Sequence, residues 1–132
     1  MTLSLTTQDK STLRTAAYGA VALVAAAGAA GSPHKMATAG TLALTAATGP
    51  VGHVLAARSN DIHLYGKAVA HLADQVLPAL SATMDLLGRQ NPAEAGNFRG
   101  AVLVAIEAAS RGVSNPSVAA MAGKIVAALD AA

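Results

Sequence analysis

An all-α fold is predicted for this chain from three features of its sequence. Apolar residues recur at steps of three and four through most of the 132 residues, which is the spacing of a helix with one buried face. A capping residue followed by proline begins two of these stretches, at Asn91-Pro92 and Asn115-Pro116. No stretch of useful length shows the two-residue alternation of a strand. We therefore expect residues 1–132 to form one compact bundle of about five helices.

The composition limits how this bundle can be packed. Hydrophobic residues make up 53% of the chain, but aromatic residues only 2%, with one Phe and no Trp. The core must then be built from Ala, Leu and Val. Because an alanine buries little area, the helices must approach one another closely to gain enough hydrophobic stabilisation.

The first helix has a clear start and a clear end. It is predicted to begin at Thr6 or Thr7, with Asp9 in its first turn, where the helix dipole favours an acidic residue. Glycines between residues 28 and 31 end it. Ser32-Pro33 then provides the cap and first turn of helix two.

Helices two and three are each predicted to be disturbed by a proline. Gly49-Pro50 interrupts helix two, which continues as a short helical piece. Helix three follows a cap at residues 59–61, and Pro78 inside it removes a backbone hydrogen bond, which predicts a bend. Helix three has the longest apolar face: Ile62, Tyr65, Val69, Leu72, Val76, Leu80, Met84 and Leu87.

Helices four and five begin at the two Asn-Pro pairs, and Gly112 separates them. The residues predicted to face inward are Phe98, Val102, Ala105, Ile106 and Ala109 in helix four, and Val118, Met121, Ile125 and Leu129 in helix five.

Residues 16–31 and 37–52 resemble each other, with eight of sixteen aligned positions identical. A bias towards Ala and Gly raises chance matches, so a duplication is only one interpretation. In either case the segments predict smooth helices that a neighbour can approach closely. Gly19, Gly28 and Gly40 are therefore candidates for a self-association interface, or equally for close packing within the chain.

Charge and cysteine content exclude several classes of function. The net charge is +2 and the basic residues are scattered, so no nucleic-acid surface is predicted. The absence of cysteine rules out a disulfide framework and thiolate chemistry. Residues 15–33 and 36–57 are long enough to span a bilayer but contain too few strongly apolar residues to do so. We expect a cytoplasmic protein, and the Ala-rich usage is typical of a GC-rich bacterial genome.

No pattern in the sequence indicates an enzyme. Most charged residues lie at helix ends or in i,i+4 pairs such as Asp85 with Arg89, where they have a structural explanation. No nucleophile beside a base, phosphate-binding loop or metal motif is present, so we predict no catalytic residue, metal or cofactor. Candidates for contacts to a small ligand are His53, Tyr18 and Tyr65, which can meet at the mouth of a cavity between helices.

Two functional hypotheses follow. The first is a non-enzymatic helical protein that acts by self-association or partner binding, most simply as a homodimer, because short helices rich in Ala and Gly leave apolar surface uncovered. The alternative is a helical bundle that binds a small apolar ligand between its helices, in a cavity left by the bend at Pro78 and the scarcity of aromatic side chains.

Overall fold

The computed structural model describes residues 3–28, 33–57, 68–113 and 115–131. Within them all regular structure is helical and no strand occurs, which confirms the all-α prediction. The helices of these residues are α1 Thr7–Ala27, α2 Pro33–Thr45, α3 Gly49–Ala56, α4 Val69–Gln90, α5 Pro92–Ser110 and α6 Pro116–Asp130.

The predicted count of about five helices is low by one, because the second predicted helix is two separate helices. α2 ends at Thr45 and α3 begins at Gly49. Gly49 has a φ of +77°, a backbone conformation that residues with a side chain rarely adopt. Pro50 then lies in the first turn of α3, where its missing N–H is not needed. The Gly49-Pro50 pair therefore starts a new helix, α3, after α2 has ended.

The break also separates the two similar segments in structure. The first segment runs through α1 without interruption as far as Ala27, whereas residues 37–52 contain the end of α2, the break and the start of α3. The aligned positions 16–24 and 37–45 are helical in both segments, and the conformations differ from residues 25 and 46 onwards.

Side-chain caps fix the starts of three helices at the predicted places. Thr6 and Asp9 form a capping box, in which each side chain accepts a hydrogen bond from the other residue's backbone N–H at 3.0 Å. The side chains of Asn91 and Asn115 each accept a hydrogen bond from the backbone N–H two residues further on, at the starts of α5 and α6. These local signals placed the helix starts within a residue or two.

α4 is the described part of the predicted third helix. The predicted cap at residues 59–61 and the side chains of Ile62 and Tyr65 lie outside the described residues. From Val69 onwards the helix is continuous through Pro78 to Gln90. The bend expected at Pro78 stays a prediction. The predicted apolar face is confirmed by the burial of Leu72, Val76, Leu80 and Leu87.

α1 lies at the centre of the bundle and contacts each of the other helices in the described residues. Its inward face includes Ala16, Ala17 and Ala20, whose exposed fraction is zero. These small side chains let the neighbouring helices approach closely, as the composition predicted. The larger buried side chains around them include Phe98, Leu13, Leu23, Leu44, Leu55, Leu80, Leu87, Ile125 and Leu129.

α2 and α5 pack against each other in antiparallel directions. Near the middle of α2, a Cβ placed on Gly40 would lie 3.2 Å from the carbonyl oxygen of Ala105. Beyond the C-terminal end of α2, Asn97 Nδ2 donates a hydrogen bond of 2.8 Å to the carbonyl oxygen of Thr48. Later residues of α2 thus meet earlier residues of α5.

None of the helices in the described residues combines the length and the apolar character needed to cross a bilayer.

Candidate association surface

Two large apolar side chains stand out as exposed among the described residues, and both belong to the antiparallel pair α2 and α5. Leu42 in α2 is 64% exposed and Val104 in α5 is 58% exposed. Ala46 directly follows α2, and its backbone N–H donates a hydrogen bond of 3.2 Å to the carbonyl oxygen of Leu42, so the two residues lie one helical turn apart on the same side. Ala46 and Val104 both line one groove between the helices. The exposed apolar side chains therefore belong to one continuous surface.

This groove is open to solvent and has a volume of about 400 Å³. The described residues that line it are small, apolar or neutral, and none of them is charged. We define the α2–α5 seam as Leu42 together with the groove residues Ala46, Ala47, Gly96, Gly100, Ala101 and Val104. Its combination of a smooth floor and two projecting apolar side chains is typical of a surface that another helix packs against.

Gly96 and Gly100 leave a shallow depression on the outer face of α5. A Cβ placed on either glycine would meet no atom within 4 Å. With Val104 they occupy positions four residues apart, which places all three on one face of the helix. This face was not among the predicted interfaces, although the G-x-x-x-G spacing at residues 96–100 is visible in the chain. Alanine and glycine are most frequent in the first two helices, and the predicted interface glycines are all in that part of the chain.

Charged side chains lie near both ends of the seam. Lys35 and Arg111 line a concave region at the end formed by the start of α2 and the end of α5. The carboxylate of Glu94 lies at the opposite end, where Oε1 accepts a hydrogen bond of 3.1 Å from the backbone N–H of Val51. Because the Thr48 side chain makes no cap hydrogen bond, Glu94 provides an acceptor for the first turn of α3.

The glycines predicted as interface candidates have close neighbours within the chain. Gly19 is buried in α1. A Cβ on Gly28 would lie 2.7 Å from the end of the Met36 side chain. A Cβ on Gly40 would lie 2.6 Å from a methyl group of Val21. Gly28 and Gly40 thus permit close packing of helices in one chain, and their use between subunits stays a prediction.

Of the three residues predicted to contact a ligand, the structure describes Tyr18 and His53. Tyr18 is half-buried, and its hydroxyl donates a hydrogen bond of 2.5 Å to the carbonyl oxygen of Leu55. His53 is exposed on α3, and Tyr65 lies outside the described residues. The Tyr18 hydroxyl therefore ties α1 to the last turn of α3, and its single proton is already used in that bond.

Burial raises the pKa of Tyr18, although the positive charge of Arg14 partly opposes this effect. The pKa in the folded state then lies above the unfolded value of about 10. The stabilisation linked to this group is fully present below pH 10 and is lost as the pH rises through the folded pKa. Tyr18→Phe should reduce the free energy of unfolding by about 1 kcal/mol at pH 8, because the hydrogen bond is lost.

Urea denaturation of both proteins at pH 8 and at pH 11 tests this expectation. The advantage of the original protein over Tyr18→Phe should shrink at pH 11, since the unfolded chain ionises this phenol first. An advantage that is unchanged or larger at pH 11 would contradict the assignment.

Ion pairs on the described surface include Arg89 with Asp85 and Arg99 with Asp130. Arg89 contacts Asp85 at 2.8 Å, as the i,i+4 spacing predicted. Arg99 Nε contacts Asp130 Oδ1 at 2.9 Å, and this hydrogen bond lowers the pKa of Asp130. The described residues contain no group of three His, Cys, Asp or Glu side chains placed to hold a metal ion. The α2–α5 seam combines an uncharged groove with the exposed side chains of Leu42 and Val104.

Comparisons of the chain with protein-family models, with curated proteins and with solved structures return no match.

Proposed function

We propose that this chain is a non-enzymatic helical protein that acts by self-association, and that a second copy covers the α2–α5 seam. The observation that supports the proposal is the exposure of Val104 in an uncharged groove and of Leu42 one helical turn before the groove residue Ala46. Leucine and valine side chains that gain full burial are worth roughly 1.5–3 kcal/mol each, so association through this surface has a hydrophobic driving force. A homodimer uses the same surface twice and gains these contributions from both copies.

The glycines beside these side chains support the same proposal. Helices pack 8–10 Å apart, and the shorter distances require small residues at the contact. Gly96 and Gly100 offer such a contact on an exposed helix face. A glycine inside a helix destabilises it by about 1 kcal/mol relative to alanine. Close packing of a second subunit against the glycines would offset this loss of stability.

Light scattering tests the proposal directly. At micromolar concentration the measured mass should be twice the 13.0 kDa of one chain. Val104→Glu should reduce dimer affinity at least about 10-fold, because it would bury an unpaired carboxylate in the interface. Ala82→Glu is the matched control, since Ala82 is exposed on α4 away from the seam, and it should keep the dimer.

A mass of one chain for the original protein at high micromolar concentration would refute self-association. A loss of dimer caused equally by Ala82→Glu and Val104→Glu would show that the seam has no special role. Circular dichroism of all three proteins confirms that the helices are retained, so that a change in mass reports association.

The second hypothesis, a small apolar ligand between the helices, stays a prediction. Native mass spectrometry of the purified protein provides its test, since a retained ligand adds a defined mass to the chain. The engaged hydroxyl of Tyr18 and the exposed position of His53 give this hypothesis no additional support.

A further inference from the structure

A second concave surface lies between the start of α2 and the end of α5, and we call it the basic hollow. Its volume is about 330 Å³, which is sufficient for a small ligand. Its apolar described residues are Met36, Ala39, Ala108, Ala109 and Val113. Met36 is only 3% exposed, and its thioether side chain can adapt to the shape of a ligand. Two exposed cations, Lys35 and Arg111, complete the described lining.

These two cations have no carboxylate partner among the described residues. The ion pairs that described residues form involve Arg89 and Arg99 instead. Arg111 follows the last turn of α5, where the helix dipole favours a cation. Lys35 lies in the first turn of α2, where the dipole disfavours a cation and where no acidic residue is present. The position of Lys35 therefore has no explanation in the stability of its own helix.

The sequence around the basic hollow is almost free of negative charge. No acidic residue occurs between Asp9 and Asp61 or between Glu107 and Asp130, so α2 and the start of α6 contribute none. Glu107 is exposed on α5 one helical turn before Arg111, but it is not among the described residues that line the hollow. Two cations against this one carboxylate leave a net positive charge. The basic hollow is thus complementary to a ligand with a single negative charge.

We infer that the basic hollow binds a single-chain amphiphile with one anionic head group. The head group lies between Lys35 and Arg111, and the guanidinium group can donate two hydrogen bonds to a carboxylate or a phosphate. The hydrocarbon chain covers the apolar residues of the hollow and gains hydrophobic stabilisation from each buried methylene. This site is separate from the α2–α5 seam, so the inference does not depend on self-association.

Isothermal titration calorimetry with three probes of equal chain length tests this inference. The probes are decanoate, decyl phosphate and decyltrimethylammonium, each used below the concentration at which it forms micelles. At least one anion should bind at a single saturable site, and the cation should bind at least about 10-fold more weakly because of charge repulsion. The anion that binds more tightly identifies the head group as a carboxylate or a phosphate.

Variants then locate the site. Lys35→Gln with Arg111→Gln should weaken binding of the anion about 3- to 10-fold at low salt, because two exposed charges contribute modestly. Ala108→Leu keeps both charges and should also weaken binding, since the larger side chain occupies the hollow. Lys10→Gln with Lys124→Gln is the matched control, because it removes two exposed cations elsewhere and should change the affinity less than about 2-fold. Circular dichroism shows whether each variant keeps its helices.

The inference would be overturned if anionic and cationic chains bound equally, or if neither anion showed saturable binding. An equal loss of affinity in the matched control would also overturn it, since the effect would then come from net charge alone. A monomeric chain that binds decanoate at this site would refute the proposed self-association and leave the basic hollow as a binding site.

Discussion

Replacement of Phe98 by alanine is expected to lower the free energy of unfolding by about 3–5 kcal/mol. Phe98 is the single phenylalanine of the chain, and its exposed fraction is zero. It lies on α5, which contacts every other helix of the described residues, and the surrounding core is rich in short alanine side chains. Few of these neighbours can extend into the space that the ring leaves, so a cavity should remain.

Urea denaturation followed by circular dichroism measures this loss. Phe98→Leu keeps most of the volume and should cost less than about 1.5–2 kcal/mol. Val104→Ala on the exposed face of the same helix should change the stability of the monomer by less than about 0.5 kcal/mol. Equal effects of Phe98→Ala and Val104→Ala would show that α5 is not buried on the face described above.

Replacement of Gly40 by leucine should destabilise the protein by about 3 kcal/mol or more through overpacking. A Cβ at this position would meet two methyl groups of Val21 at 2.6 and 2.8 Å and the carbonyl oxygen of Ala105 at 3.2 Å. Val21 is short and β-branched, so it has little freedom to move aside. The clash is therefore relieved only by separating α1, α2 and α5.

Gly123→Leu is the matched control, because Gly123 lies inside α6 and a Cβ there would meet no atom within 4 Å. It should stabilise the protein slightly, by up to about 1 kcal/mol, since leucine is the better helix former. Thermal denaturation of both variants measures this difference in stability. If Gly40→Leu is as stable as Gly123→Leu, then α1, α2 and α5 do not meet closely at Gly40.

The buried faces of the helices could be predicted from the sequence because they depend on local spacing. Val118, Met121, Ile125 and Leu129 follow the helical period, and all four are buried in α6. The caps at Thr6 and Asn91 were also local signals, since each depends on residues within three positions. Such patterns predict which face of a helix is buried. They do not identify the helix that packs against that face.

Features that depend on distant pairs of residues could not be predicted in the same way. The bond from Tyr18 ends on a backbone carbonyl 37 residues away, and a carbonyl has no sequence signature. To predict the α2–α5 seam, one must know that Gly100 lies on the outer face of α5, whereas Gly40 lies against Val21. Both are glycines within helices, so composition alone does not separate them. The exposure of Leu42 likewise depends on which helix lies beside α2.

The bond between Glu94 and Val51 has a consequence for the order of folding. α3 has eight residues, which is too short to be stable alone in water. Its first turn receives an acceptor from a residue 43 positions later in the chain, on a helix that must already be formed and in place. Bringing these positions together carries the entropy cost of closing a long loop. α3 should therefore become structured after α5 has docked, so that it is a late-forming segment whose amides open first when the native state fluctuates.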